Sequence, residues 1–217
     1  MFYSQINPVL AGLWGLEIRF YGLIYAISFL LMYFFLNYLV EQRKIRLDKT
    51  QVSNLVIWLI LGVVVGARIF YVLLYNFRYY ANKPLEILMP WHGGMSFHGG
   101  LVGVIIAGLL FSRKYKINFY KIADAIAIPT AVFLMLGRIA NFTNSELYGR
   151  VTGLPWAVKF QGVEGFRHPS QIYQSFSNLV IFSVLWFIKD KKKLPDGYLF
   201  WLLISIFGLF RFITEFF

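Results

Sequence analysis

The sequence contains no cysteine, only ten acidic residues, and no cluster of positive charge ahead of its first long apolar run. The missing cysteines exclude disulfides, thiolate metal ligands and an enzyme-borne thiol nucleophile, so any thiol in the chemistry belongs to a substrate. Before Phe20 the single basic residue is Arg19. The cationic front of a cleavable signal peptide is therefore lacking, and the run that follows is too long for one, so it is expected to stay as a helix. Charge is scarce throughout: 14% of the 217 residues are Asp, Glu, Lys or Arg, against 59% hydrophobic and 20% aromatic. With a mean hydropathy of +0.62, the chain has too little polar surface to cover a water-soluble globule, and a bilayer is the expected solvent. No metal-ligand or nucleotide-binding motif stands out, so neither a metal nor a cofactor is expected.

What is present is a series of apolar runs at 18–40, 52–76, 96–112, 122–137, 171–188 and 197–216. A helix rises ~1.5 Å per residue and the hydrocarbon layer is ~30 Å thick, so these runs predict about six transmembrane helices. The expected fold is an all-α polytopic membrane protein, with residues 1–217 as a single integral membrane domain. Asp124 and Pro129 interrupt the fourth run, which is expected to be tilted or broken. Residues 141–169, rich in Gly and Pro, read as an external arm, and Gly153–Phe160 within it reads as a short strand or hairpin over the membrane surface.

The net charge of +11 does not point to nucleic acid, because the basic residues lie in short clusters between apolar runs. Arg43, Lys44, Arg46 and Lys49 follow the first run, Arg113, Lys114, Lys116 and Lys121 the third, and Lys189, Lys191, Lys192 and Lys193 the fifth. By the positive-inside rule these segments face the cytoplasm, which puts the amino terminus and the last residues outside.

On that topology the unusual polar residues share one depth, although depth was not used to choose them. Tyr21 begins the first span, Arg68 lies near the outer end of the second, and His98 opens the third; Arg138, Asn141 and Glu146 follow the fourth. His168 and Gln171 precede the fifth span, and Arg211 and Glu215 close the sixth. An ionisable group in hydrocarbon is costly unless it is turned inward and paired. One Arg near a span end could snorkel or pair with Glu146 or Glu215. Three Arg in one layer with His98 suit a lipid phosphate instead, with an anionic phospholipid as the natural ligand. His98 sits in "HGGMSFHGG", where glycines let backbone approach closely, and nearby Arg charge favours its neutral, proton-accepting form. Tyr21 alone reads as ordinary interfacial Tyr. The stretch "GRIANFTNSELYGR", Gly137 to Arg150, is the densest polar segment; its structural alternative is a helix exit held by an Arg138–Glu146 pair.

Taken with "FYG" (Phe20–Gly22), "GGMSFHGG" (Gly93–Gly100), "RHPSQIYQ" (Arg167–Gln174) and "FRFITEFF" (Phe210–Phe217), that stretch makes the chain resemble the prolipoprotein diacylglyceryl transferase family over nearly its whole length. The resemblance implies transfer of the diacylglyceryl group of phosphatidylglycerol to the lipobox cysteine of a prolipoprotein signal peptide, giving a thioether and glycerol phosphate. This is the first step of bacterial lipoprotein maturation, in the cytoplasmic (inner) membrane with the active site toward the outer leaflet. The resemblance further implies that Arg138 binds the phosphate, with Arg68 and Gly149 also at the phospholipid, and that Arg211 neutralises charge on the leaving group. His98 or Tyr21 takes the thiol proton. Asn141, Glu146 and Gly149 shape the site, Glu146 and Glu215 orient the Arg side chains, and Asn144, His168 and Gln171 support it. The family continues past Arg211–Glu215 into a final helix, so the stop at Phe217 implies that this helix is absent, and Phe207 stands where the family pattern has Tyr. Two other readings are a catalytically silent relative that binds lipid or lipoprotein precursors, and a small transporter. A transporter would need polar groups through the inner half, where Asp124 is nearly alone.

Overall fold

In the computed structural model the apolar runs become helices bounded by specific caps, described here for every residue except Gln5, Pro8, Trp14, Gly15, Lys44, Lys192 and Lys193. Three of the expected cytoplasmic cations, Lys44, Lys192 and Lys193, thus lie outside the described residues. The elements in chain order are β1 (Phe2–Tyr3), β2 (Val9–Leu13), β3 (Leu16–Arg19), α1 (Phe20–Gln42), α2 (Lys49–Phe70), α3 (Phe77–Asn82), α4 (Phe97–Tyr115), α5 (Phe119–Thr143), β4 (Val158–Lys159), α6 (Ser170–Ile188) and α7 (Tyr198–Thr214). A π-helical turn, Tyr71–Tyr75, extends α2. Among the described residues, five helices are long and apolar enough to cross a bilayer; α7 is also apolar but has 17 residues. The chain is a multi-pass, all-α membrane protein, and its outward surface agrees, with Leu61, Phe176, Phe212 and Phe187 exposed, the last at 79%. Large apolar side chains stay outward where lipid is the solvent.

The chain divides into two compact units, Leu39–Ala123 and the remainder, Met1–Tyr38 with Asp124–Phe217. In Leu39–Ala123, α2 starts with a capping box: the Asp48 carboxylate accepts from Gln51 N at 2.8 Å and the Gln51 side chain accepts from Asp48 N at 3.0 Å. Its principal packing is α2 against α4. The crossing is made by Gly62, Gly66, Gly99 and Gly103, where an added Cβ would overlap the facing backbone. Two small-x-x-x-small pairs, one per helix, bring the backbones together as membrane helices do when hydrophobicity alone gives no drive to associate. Buried Val52, Leu55, Leu59, Phe111 and Ile122 fill the interior.

In the other unit α6 packs against α7, and Ile128, Ile181, Leu185 and Leu199 are buried. The fourth span, expected to be tilted or broken, is one continuous helix through Pro129, so the break does not occur. Pro removes a single backbone donor, which neighbouring helices can tolerate in a membrane. Asp124 has a structural use. It is 1% exposed, and its carboxylate accepts from Gly197 N and Phe200 N, each at 3.0 Å. Gly197 gives α7 no side-chain cap of its own, so Asp124 caps that helix from α5 and its charge faces the positive end of the α7 dipole. The strand expected in Gly153–Phe160 exists as β4, which pairs in parallel with β1, while its Val158 also exchanges both main-chain hydrogen bonds with Arg167 in an antiparallel bridge. The terminal amine donates to the Pro155 carbonyl beside that pairing.

Candidate active site

The residues singled out in the sequence are distributed over both units, and each group is described within its own. In Leu39–Ala123, Arg68 is 5% exposed; its guanidinium lies over the Tyr80 ring, 4.9 Å from the centroid, and directs its N–H donors at main-chain carbonyls. Nε donates to Ile87 O at 3.0 Å; Nη1 donates to Gly93 O and, at 3.1 Å, to Gly94 O; Nη2 donates to Glu86 O and, at 3.1 Å, to Met89 O. A guanidinium has five N–H donors, so all are engaged. Expected at the phospholipid, Arg68 here has its donors taken up by carbonyls of the Glu86–Gly94 loop. That loop leads into α4, and Ser96 N donates to Ala67 O at 3.0 Å, so Arg68 and its neighbour Ala67 together fix where α4 begins. Ser96 caps α4 through Gly99 N, and His98 in the first turn is exposed. His92, by contrast, pairs with the Glu86 carboxylate at 2.7 Å.

In the other unit, three helix ends bear the remaining groups. Arg138 in the last two turns of α5 and Arg211 in the last turn of α7 border one narrow cleft with Gln174, Ser177, Asn178 and Ile181 of α6 and Phe207, Phe210 and Thr214 of α7. Arg138 lies within electrostatic reach of Arg211, Tyr25 and Tyr21. Tyr21 donates to the Tyr25 hydroxyl at 3.2 Å and their rings stack at 4.7 Å, while Tyr25 reaches α5 through Phe133 and Gly137. Two cations facing one cleft repel, so the cleft favours an anion. Arg211 pairs with Glu215, one turn on, at 2.6 Å.

The Arg138–Glu146 pair that would make the polar stretch a mere cap is not formed among the described residues. The Glu146 carboxylate instead accepts from Asn144 Nδ2 at 3.2 Å, and its main-chain N donates to Asn141 O at 2.9 Å. The expected orienting role of Glu146 toward Arg138 therefore has no contact behind it. Gln171, 0% exposed, donates to Glu146 O at 2.6 Å and ties the stretch to α6. Asn141 is buried on α5. His168 shares a hydrogen bond with the Tyr173 hydroxyl at 3.2 Å, and Trp156 donates to the same hydroxyl at 2.7 Å. Gly149 serves close approach: its N donates to His168 O at 2.9 Å, and a Cβ there would overlap the Phe217 carbonyl. Its place beside a phospholipid has no geometric support of its own.

Sequence reasoning passed over Gln174, Asn178 and Tyr25, and over Gly62, Gly66 and Gly103. Polar residues at i and i+4 on an otherwise apolar helix were the available signal for the first pair, and small-x-x-x-small spacing for the glycines.

The sequence profile of the prolipoprotein diacylglyceryl transferases matches residues 8–217. A phosphatidylglycerol–prolipoprotein diacylglyceryl transferase of Geobacter sulfurreducens is 43% identical over 219 residues, covering all of this chain and 84% of its own length. A protein of the same description from Rickettsia rickettsii is 42% identical over all of this chain and 85% of its own, and one from Rickettsia felis is 42% identical over 91% and 77%. With the family profile matching residues 8–217 and these relatives alike over all or nearly all of the chain, this chain belongs to the prolipoprotein diacylglyceryl transferase family.

Proposed function

We propose that this chain is a diacylglyceryl transferase that moves the diacylglyceryl group of phosphatidylglycerol onto the thiol of a prolipoprotein lipobox cysteine. The observation that supports it most is the cleft, where Arg138 has no carboxylate partner among the described residues and faces a second cation, Arg211. The reaction is alkyl transfer. The thiolate sulfur attacks the glyceryl carbon that carries the phosphate, the C–S bond forms as that carbon's bond to phosphate oxygen breaks, and glycerol phosphate leaves with an added negative charge. The guanidinium of Arg138 holds the phosphate in the ground state, and Arg211 answers the charge that grows on it as the bond breaks. A free thiol with pKa near ~8.5 is mostly protonated at neutral pH, so a base is needed, and His98 or Tyr21 takes that proton. Arg68 acts through the loop it holds, and Asn141, Asn144, Glu146, Gln171 and His168 keep the α5 exit and the start of α6 in register.

In this reading residues 1–217 form one membrane domain with residues 141–169 as its external arm, in the cytoplasmic membrane of a bacterium. The amino terminus lies outside and the reacting helix ends lie toward the outer leaflet, as the basic loops suggest. No cofactor or nucleic acid takes part. Asp124, the group on which a permeation path would most depend, is engaged at the start of α7.

Purified protein incubated with phosphatidylglycerol and a lipobox peptide is expected to yield, by mass spectrometry, a diacylglyceryl adduct on the peptide cysteine. Folded protein that gives no adduct overturns the proposal.

A further inference from the structure

The cleft at Arg138 and Arg211 holds two acceptors that the protein leaves unanswered. Asn178 is 2% exposed, and its amide nitrogen donates to the Gln174 main-chain carbonyl one turn back at 2.8 Å. That bond fixes which way the amide faces, since the reverse orientation would set two carbonyl oxygens against each other. Asn178 Oδ1 is left buried without a partner, and so is Oε1 of Gln174. The two residues sit at i and i+4 on α6, on one face, and both border the cleft. The hydroxyls that share the cleft are already engaged, Ser177 with Tyr173 O at 2.9 Å and Thr214 with Arg211 O at 3.2 Å. The open hydrogen-bonding capacity at this spot therefore consists of guanidinium donors, the Gln174 side-chain nitrogen and two amide acceptors.

A buried acceptor without a donor is costly, and a ligand that supplies the donor removes that cost. A phosphate has only acceptor oxygens for the two arginines and nothing to offer Gln174 or Asn178. An ammonium group could donate to both, but it would stand beside two guanidinium charges. Neutral hydroxyls meet both conditions. We propose that Gln174 Oε1 and Asn178 Oδ1 accept hydrogen bonds from free hydroxyls on the alcohol of a phosphodiester lipid whose phosphate is held by Arg138 and Arg211. These two amides thereby select a polyol headgroup. The inference rests on the reading of phosphatidylglycerol as the lipid substrate, and it assigns the discrimination to α6.

The test is a competition between short-chain phosphatidylglycerol and phosphatidylpropanol, which has the same charge and nearly the same size but no hydroxyl. It is read by native mass spectrometry on the whole detergent-solubilised chain. Wild type is expected to retain phosphatidylglycerol at least about tenfold over phosphatidylpropanol, because a site built to bond a hydroxyl rejects the analogue lacking it. The near-isosteric pair Asn178→Leu with Gln174→Met is expected to bring the ratio close to one without reducing phosphatidylpropanol retention. Gln174→Met alone, at a half-buried position, gives a partial fall even if the double variant folds poorly. A wild-type ratio near one, or variants that keep the wild-type ratio, overturns the inference. The transferase reading fails separately. A phosphatidylglycerol preference without any peptide adduct sinks that reading and leaves the headgroup site standing, whereas equal adduct formation from both lipids does the reverse.

Discussion

At Arg138 the guanidinium has Ile181, Phe207 and Phe210 around its cleft, a second cation in Arg211, and no ion pair among the described residues to hold it. Removing it breaks no native pair, so Arg138→Ala is expected to lower adduct formation by at least about 100-fold while the thermal unfolding midpoint hardly moves. Arg138→Lys keeps the charge but loses the planar fork, and is expected to fall about tenfold or more. Arg68 behaves in the opposite way. Five carbonyl contacts depend on it, so Arg68→Lys, with three donors and no fork, is expected to cost about 2–3 kcal/mol of stability. A drop in midpoint should accompany any loss of transfer. Full transfer loss at an unchanged midpoint would restore Arg68 to the phosphate. At Glu215, exposed beside Arg211, substitution by Gln is expected to leave stability unchanged and to reduce the rate only a few-fold, because an exposed pair contributes about 0–1 kcal/mol. The sequence placed all three arginines in one layer. It could not distinguish them, because a guanidinium bound to carbonyls and one open to a ligand look alike in hydropathy.

Among elements, two junctions hold the site's supports in place. The first is the α2–α4 crossing, where glycine backbones touch and no side chain can intervene. Gly103→Leu is expected to force the helices apart and to reduce folded yield and thermal midpoint together, because the facing Gly62 carbonyl cannot yield as a flexible side chain would. The second is the Asp124 cap on α7. Asp124→Ala is expected to cost about 1–2 kcal/mol, the usual worth of a lost N-cap, whereas Asp124→Asn, which keeps an acceptor, should retain most of it; denaturation followed by circular dichroism separates the two. Helix number and approximate limits were readable from apolar run length. The same reading took Asp124 and Pro129 as breaks in the fourth span, since both are unfavourable in an isolated membrane helix. Only the start of α7, 73 residues further along, shows what Asp124 is for.

For the molecule as a whole, the absence of cysteine becomes a tool. Single cysteines introduced at Lys116, after α4, and at Gly162, in the arm, can be labelled without first removing others. With a membrane-impermeant maleimide on intact cells, Gly162→Cys is expected to react and Lys116→Cys to remain protected until the membrane is permeabilised, as the basic loops require. The reverse pattern would invert the topology and move the proposed site to the other leaflet. The sequence by itself determined the solvent, the helical class and the family resemblance. Each of these follows from composition, run length and residue order, which are local and additive along the chain. Tertiary structure decided which arginine remains available, what Asp124 does, and that two amide oxygens of α6 are left without partners in the cleft that Arg138 borders. Those outcomes depend on which donor meets which acceptor across distant segments, and a hydrogen bond exists only when both ends are in place.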